Sequence, residues 1–147
     1  MLSAKELAAR LEELSNVALT GRIAGTQTVI YARDIAVHAR DQKNALPYLI
    51  GVVPPADVAG RADGYYYVNH MEIFVGFRID ARGSLSDFTA DMDTCAAVVR
   101  DIVRYIQSRA TQDRFWGAAD LGSVRVEPSV VQQMRGLDVS FNLKTQL

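Results

Sequence analysis

The sequence of 147 residues contains a single cysteine, Cys95, and so cannot form an intramolecular disulfide. This excludes a secreted domain held by disulfides and favours a reducing compartment. Long apolar runs are missing as well, since none approaches the roughly 18 residues of a membrane-spanning helix. The first residues, Met1 to Glu6, carry early charges and lack the apolar core of a signal peptide. We therefore expect a protein made in the cytoplasm, with no membrane partner.

The chain also has no excess of charge of one sign. Its formal net charge is -1, so no strong field attracts nucleic acid or an anionic membrane. A hydrophobic fraction of 49% and a charged fraction of 22% are typical of a soluble globular protein. The length suits one domain over residues 1–147.

Recognisable catalytic motifs are absent too. There is no Gly-rich phosphate loop, GxSxG elbow or HExxH motif, and the only histidines are His38 and His70. Two alternatives are a divalent cation shared by Asp87 and Asp91, and a dyad of Cys95 with His70. A solvated acidic helix start, a buried inert Cys95 and an exposed His70 are the simpler interpretation. We predict no catalytic residue, no cofactor and no metal site.

An amphipathic helix of about four turns is predicted near the start of the chain. Ser3 and Glu6 have the spacing of a capping box, in which each side chain accepts from the other residue's amide. Glycine can take the left-handed conformation of a helix stop, so the helix should end near Gly21. Its apolar side chains recur at three- and four-residue spacing: Leu7, Leu11, Leu14 and Val17.

The next part of the sequence has weaker patterns. Within residues 22–46, Thr28–Tyr31 is a candidate short strand, and Ile35–Ala39 either continues it or forms a helical turn. The apolar run Pro47–Pro54 predicts a strand buried on both faces. Residues 54–64, with two prolines and two glycines, are predicted to form a loop.

A long strand is predicted from Tyr65 to Asp80. Its odd-numbered positions are apolar or aromatic except Asn69, and period two places them on the core face. The even-numbered positions are mostly polar, with Tyr66, Val68 and Phe74 as exceptions. These three are expected to face outward or toward a partner.

The second predicted helix runs from Leu85 to Ser108. Ser84 and Asp87 resemble a capping box at its start, and one apolar stripe follows its length. Acidic residues fill its first half and basic residues its second half, which complements the helix dipole.

Two final strands follow a loop at Thr111–Asp120. Val124–Val130 and Leu137–Thr145 both alternate apolar and polar residues, and Arg135–Gly136 is the expected turn between them. Proline cannot donate to a strand ladder, so Pro128 places its strand at an edge or at a bulge.

These elements predict the α+β class. The expected fold is a mainly antiparallel four-stranded sheet, in the order α-β-β-α-β-β, packed against one long and one shorter helix. The two strand pairs flank the long helix in sequence, and the helices cover one face of the sheet.

Two aromatic groups stand next to arginines. Tyr65–Tyr67 lies near Arg61, and Phe115 and Trp116 follow Arg114. Such groups can stack on single-stranded nucleic acid, form a protein interface, or close the ends of the core. The near-neutral charge weakens the first alternative.

The order of elements resembles the tail terminator proteins of long-tailed bacteriophages and the related minor tail and neck proteins. The likeness covers about two-thirds of the chain and rests on four segments: Leu46–Val53, Tyr67–Asp80, the helix with Asp91–Asp93 and Val98–Val103, and Gly136–Leu143. Members of this family share a pattern and no invariant motif, and they have no catalytic residues to carry over.

The resemblance implies a structural protein of the virion. Such proteins form rings, usually hexamers, that cap the tail tube and join tail to head during virus assembly. The implied partners are further copies of the chain, the tail tube and neck or connector proteins, with phage DNA passing through the lumen without specific binding. We expect the contacts at five residues: Tyr66, Val68, Phe74, Phe115 and Trp116. The C-terminal strand is a further candidate, by strand addition at a subunit edge.

Other functions remain open on the residues alone. One is another neck or tail-completion subunit of the same virion region. A second is a small cytoplasmic enzyme with a site near His70, Asp87 and Asp91. A third is a ligand- or nucleic-acid-binding module that uses Tyr65–Tyr67.

Overall fold

The longest strand of the sheet organises the fold. The computed structural model describes residues 1–31, 34, 46–78, 85–131 and 134–147. This part of the chain forms a mixed, mostly antiparallel six-stranded sheet with helices, which confirms the α+β class. The strands are β1 (Gly25–Val29), β2 (Tyr48–Val52), β3 (Ala56–Arg61), β4 (Gly64–Arg78), β5 (Ala119–Val131) and β6 (Met134–Gln146). The helices are α1 (Ala4–Glu13), continued by a π-helical turn (Leu14–Ala18), α2 (Leu85–Arg109) and the short α3 (Arg114–Gly117).

The predicted capping box starts α1. The Ser3 hydroxyl oxygen accepts from the Glu6 amide at 3.2 Å, and the Ser3 amide donates to the Glu6 carboxylate at 2.9 Å. The hydrogen bond from the Ser3 backbone lowers the pKa of Glu6. Gly21 has a φ of 72°, the left-handed conformation expected where the helical segment stops.

The sheet has six strands where four were predicted. Its order is β1-β2-β4-β6-β5, and β3 pairs with β4 beside this path. β2 pairs with the second half of β4 and β3 with its first half, so both lie along the same side of β4. β1, which overlaps the candidate strand Thr28–Tyr31, is the one parallel member and pairs with β2. All five residues of β2 are buried, as its apolar sequence predicts.

The prediction of a loop over 54–64 is wrong for most of its length. Ala56–Arg61 is a strand that forms a tight hairpin with β4, since Arg61 pairs with Gly64. Alanine, aspartate and glycine are poor strand formers, so the local sequence does not indicate it. The strand forms because the long β4 extends past the end of β2 and offers an unpaired edge.

The main core lies between the sheet and the two long helices. The odd-numbered residues of β4 from Met71 to Phe77 are buried there, as predicted. α1 packs over β2 at Gly51, where an added Cβ would lie only 2.7 Å from Leu11 Cδ1. α2 supplies buried residues along its apolar stripe, including Cys95, Val98, Ile102 and Ile106. No helix in the described part of the chain is long and apolar enough to span a membrane.

Asn69, the polar exception on the core face of β4, is fully buried. Its Oδ1 accepts from the Leu2 amide at 2.9 Å, and its Nδ2 donates to the Leu143 carbonyl at 2.9 Å and to Thr145 Oγ1 at 3.0 Å. The amide therefore ties the start of the chain to β4 and β6. This explains why a polar residue occupies a core position.

The last two strands correct two expectations and confirm one. β5 is an edge strand, as Pro128 predicts. The irregularity in its pairing lies between Asp120 and Arg125 rather than at Pro128. Arg135 and Gly136 lie within β6 and not in a turn. Because β6 pairs with β4 on one side and β5 on the other, it is not an edge available for strand addition over most of its length.

Some predictions fall outside the described residues. They are the alternatives for Ile35–Ala39, the position of His38, the end of the long strand at Ile79–Asp80, and the Ser84 cap. The side chain of Asp87 also lies outside.

We predict that Asn69→Ala destabilises the protein by about 2–3 kcal/mol, because it leaves buried donors and acceptors without partners. The free energy of unfolding from a denaturant titration measures this loss. Asn16→Ala, at an exposed position of the π-helical turn, is the matched control and should change it by less than about 0.5 kcal/mol. Equal effects for the two variants would contradict a stabilising role of the buried amide.

Candidate functional site

The face of the sheet opposite α1 and α2, which we call the outer face, carries the polar side chains of four strands. Cross-strand pairs place residues on a common face, and this face is lined by Asp57 of β3, Tyr66, Val68, His70, Glu72 and Phe74 of β4, Arg125 and Glu127 of β5, and Asp138, Ser140, Asn142 and Lys144 of β6. It therefore includes three of the five predicted interface residues.

His70 joins three strands across the outer face. Its Nε2 lies 2.8 Å from Asp57 Oδ2 on β3, and its Nδ1 lies 2.9 Å from Asn142 Oδ1 on β6. The hydrogen bond to Asp57, and then that to Asn142, raise the pKa of His70. Two acceptor oxygens on the two ring nitrogens favour the doubly protonated imidazolium. Both nitrogens are engaged, so the ring acts as a link between strands.

A group of three carboxyls lies next to this link. Glu127 on β5 stands directly opposite Asp138 on β6, and Asp138 also hydrogen-bonds Glu72 on β4. Burial, followed by Glu72 and Glu127, raises the pKa of Asp138 to about 7. The Asp138 carboxyl therefore keeps its proton up to near neutral pH. Arg125 offsets part of the negative charge by pairing with Glu127 at 3.0 Å.

An open cavity of about 350 Å³ lies between β4, β6 and the irregular part of β5. His70, Ser123, Arg125, Ser140 and Asn142 are among its lining residues. The irregular segment is held by Asp120, which accepts from the Gly122 amide at 3.1 Å and from Ser123 Oγ at 2.9 Å. The walls of the cavity therefore carry both hydrogen-bond donors and hydrogen-bond acceptors.

The structure separates the five predicted interface residues. Tyr66 and Val68 lie half-buried on the outer face, with Lys144 Nζ 5.0 Å from the centre of the Tyr66 ring. Phe74 lies on the same face but is only 2% exposed, so the expectation that it faces a partner is wrong. It packs in a second apolar cluster with Val29, Tyr48, Ile50, Val52 and Met134.

Phe115 and Trp116 lie on the helix side of the sheet. Trp116 is only 1% exposed, and its Nε1 donates to Glu13 Oε2 at 3.1 Å, so its assignment to a subunit contact is also wrong. The Arg10 guanidinium stacks 4.2 Å from the centre of the half-buried Phe115 ring and donates to Glu13 at 3.0 Å. These contacts fasten α1 to α3, and they make Trp116 part of the core.

The alternative sites are not assembled in the described part of the chain. His70 lies on the outer face, whereas Cys95 and Asp91 are buried on the helix side, so the sheet separates the proposed dyad and the proposed catalytic group. Cys95 is buried, as expected. Burial, followed by Asp91, raises the pKa of its thiol to about 12, which disfavours the reactive thiolate. Asp91 was expected to be solvated, but it is 2% exposed and faces Arg135 at 3.5 Å.

The three tyrosines cannot form a single stacking platform. Tyr65 and Tyr67 point to the helix side of the β3–β4 hairpin, and Tyr66 points to the outer face, because neighbouring strand residues alternate. Only Tyr65 is more than half exposed.

The links at His70 and Asp138 were missed by the sequence interpretation. Asp57 belonged to a predicted loop, so nothing placed it beside His70. The carboxyls of Glu72, Glu127 and Asp138 are far apart in sequence and meet only through the register of three strands. The alternation of apolar and polar residues does place these three carboxyls on the solvent side of their strands, and it is the only sign of them in the sequence.

Comparison with known proteins adds no identity to this geometry. No family model matches the chain, and no curated protein matches its sequence significantly. Function is therefore inferred from the residues and their contacts.

We predict that Trp116→Ala lowers the free energy of unfolding by about 3–5 kcal/mol, through the cavity it leaves and the lost donor to Glu13. Tyr66→Ala, which removes an aromatic ring from the half-open outer face, should cost no more than about 1 kcal/mol. Thermal and denaturant unfolding of the two variants measure the difference. Equal losses would contradict the assignment of Trp116 to the core and Tyr66 to the surface.

Proposed function

We propose that the protein is a structural subunit of a virion, similar to a phage tail terminator, that forms a closed ring at the end of the tail tube and joins tail to head. The ring is a hexamer by analogy with that family. A neck or tail-completion subunit of the same region is the nearest alternative. The proposal concerns assembly, and it assigns no catalytic residue, cofactor or metal.

The observation that carries the proposal is the exposed apolar side of β5. Val126 pairs with the buried Val139 and therefore faces the helix side of the sheet, yet it is 45% exposed. Val130 on the same side is 68% exposed. Within the described part of the chain, α2 lies mainly over β4 and β6 and makes fewer contacts with β5. An edge strand with apolar side chains in water invites association with another chain.

The exposed surface continues onto α2. Phe88 is 40% exposed, and a small cavity of about 150 Å³ lies between α2 and the β5–β6 hairpin, with Met92, Pro128, Val130 and Arg135 among its other lining residues. The Arg135 guanidinium lies 5.0 Å from the centre of the Phe88 ring. Aromatic, aliphatic and arginine side chains together are the usual composition of a protein interface.

A different apolar surface lies at the opposite edge of the sheet. Val58 of β3 is 59% exposed and Tyr65 at the start of β4 is 56% exposed, both on the helix side. Two unlike surfaces on opposite edges suit head-to-tail contacts, which close into a ring when the rotation between subunits is right. This arrangement supports a ring better than a two-fold dimer.

The outer face supplies a third contact surface in this proposal. Tyr66 and Val68 remain candidates for contact with the tail tube or a neck protein, and Phe115 for a contact on the helix side. The polar groups around His70 give the outer face the character of an interface rim, which is commonly polar and hydrated.

We expect the purified protein to have a mass that is a multiple of 16.2 kDa, consistent with six copies, in native mass spectrometry and light scattering. It should also bind purified tail tubes at their open end. A strictly monomeric protein that does not associate with tubes would contradict the proposal. Salt-dependent binding to a single-stranded oligonucleotide would instead support the nucleic-acid-binding alternative.

Val130→Glu should shift the protein to monomers, since it places a charge in the proposed contact. Far-ultraviolet circular dichroism should stay unchanged because Val130 is exposed. Gln107→Glu adds the same side chain at an exposed position of α2 and should leave the ring intact. If both variants assemble like the wild type, β5 is not the contact between subunits.

A further inference from the structure

On the outer face, two of the edge strands, β3 and β5, each lie beside a side chain that can hold a proton. At β3 the group is His70, whose ring bridges Asp57 on β3 and Asn142 on β6 at 2.8 Å and 2.9 Å. The bridge to Asp57 is an ion pair only while the imidazole is protonated. Its loss leaves β3 with its backbone pairs to β4.

At β5 the group is Asp138. It stands directly opposite Glu127 of β5 and hydrogen-bonds Glu72 of β4, so the removal of its proton puts three carboxylates next to each other across three strands. Like charges directly opposite in an antiparallel pair are destabilising. Asp138 also has a buried Oδ1 without a hydrogen-bond partner in the described structure, which makes its ionised form costly.

We propose that protonation stabilises the pairing of two edge strands, β3 through the His70 bridge to Asp57 and β5 through relief of the repulsion between Asp138 and Glu127. Both strands should loosen together as the solution changes from mildly acidic to mildly alkaline. The proposal does not depend on the ring. It concerns β3 and β5 and the side-chain charges that act across their pairing with β4 and β6.

Charged and polar side chains on the neighbouring strands surround both His70 and Asp138. His70 faces Asp57 on β3 and Asn142 on β6, with Arg125 of β5 on the cavity wall, Asp120 opposite Asn142, and Lys144 two positions further along β6. Asp138 faces Glu72 and Glu127, and Arg125 pairs with Glu127 at 3.0 Å. β2 contributes only the apolar Val52, opposite Glu72. No positive group other than Arg125 is paired with the carboxyls in the described contacts.

The sign of the pH effect is the same at both sites. Asp57, followed by Asn142, raises the pKa of His70 above its ordinary 6.5. Burial, followed by Glu72 and Glu127, raises the pKa of Asp138 from 3.8 to about 7. A group whose pKa is raised in the folded state stabilises it fully below the unfolded pKa and loses that contribution as pH rises through the folded pKa. The contribution of Asp138 therefore falls from about pH 4 to about pH 7, and that of His70 falls as pH rises through its raised pKa.

Ionised carboxyls elsewhere make the folded state less stable as the pH falls, and they do so at lower pH. The Ser3 backbone lowers the pKa of Glu6, and Arg22 lowers that of Asp101, so these contributions are lost only on acidification. A comparison between pH 6.0 and pH 8.5 leaves both groups ionised. Within that window, substitution of His70 and of Asp138 assigns the changes at β3 and β5 to these two groups.

Hydrogen exchange measured by mass spectrometry tests the proposal, because edge strands open locally and exchange reports each segment separately. After correction for the intrinsic exchange rate, protection of peptides from β3 and β5 should fall by roughly three- to tenfold between pH 6.0 and pH 8.5. Protection in α2 should change less. Native mass spectrometry at both pH values checks the assembly state. If the assembly state differs between them, the exchange comparison is repeated in Val130→Glu, which is expected to be monomeric.

Two substitutions separate the sites. Asp138→Asn should abolish the pH dependence at β5 and raise its protection at pH 8.5, with no effect on β3. His70→Gln keeps a hydrogen-bonding side chain without a titrating one and should abolish the pH dependence at β3 alone. Asp63→Asn, an exposed carboxyl in the β3–β4 turn, is the matched control. Glu127→Gln should reduce the β5 effect and provides a second test if Asp138→Asn folds poorly.

The proposal is overturned if protection of both strands is the same at the two pH values. It is equally overturned if the pH dependence persists unchanged in Asp138→Asn and Glu127→Gln at β5, and in His70→Gln at β3. The proposal is supported if Asp138→Asn loses the pH dependence of protection only at β5 and His70→Gln loses it only at β3.

Discussion

The backbone ladder between β4 and β6 is the interaction on which the rest of the protein depends. It runs from Tyr66 opposite Gln146 to Arg78 opposite Met134, and it is long enough for β4 to accept both β2 and β3 along its other side. Because strand side chains alternate, one register decides which residues meet the helices and which line the outer face. A slip of one residue would exchange the apolar and polar sets, so the burial of Met71, Ile73 and Val75 holds the ladder in register.

The two faces of the sheet then take different roles. The helix side carries the main core, and the buried Asn69 ties the first residues of the chain to the sheet. The outer face is divided along its length: Phe74 belongs to a second apolar cluster near β1 and β2, while His70 and the carboxyls lie nearer β3 and β5. Charged and titrating groups are therefore concentrated near the edge strands β3 and β5, whereas the edge strand β1 lies beside the apolar cluster. An edge strand is also where a neighbouring chain would bind.

This arrangement bears on the proposed ring. An assembly subunit needs surfaces that are stable alone yet able to pair, and edge strands with exposed valines have that property at the risk of unwanted association. Charges beside those edges and Pro128 within β5 limit unspecific strand pairing. The five residues first expected at the interface do not form one surface, since Phe74 and Trp116 are used by the cores and only Tyr66, Val68 and Phe115 keep accessible surface.

Local patterns in the sequence determined much of the fold: the Ser3–Glu6 cap, the amphipathic helices, the alternation of β4 and β6, the buried β2, and the edge position implied by Pro128. These features depend on spacing along the chain, so periodicity and side-chain chemistry predict them. Only the tertiary structure decided the strand order, the parallel β1, the hairpin strand β3, the burial of Phe74 and Trp116, and the meeting of His70 with Asp57 and of Asp138 with Glu72 and Glu127. Each of these depends on which strands become neighbours, and pairing between residues distant in sequence leaves no local pattern to find.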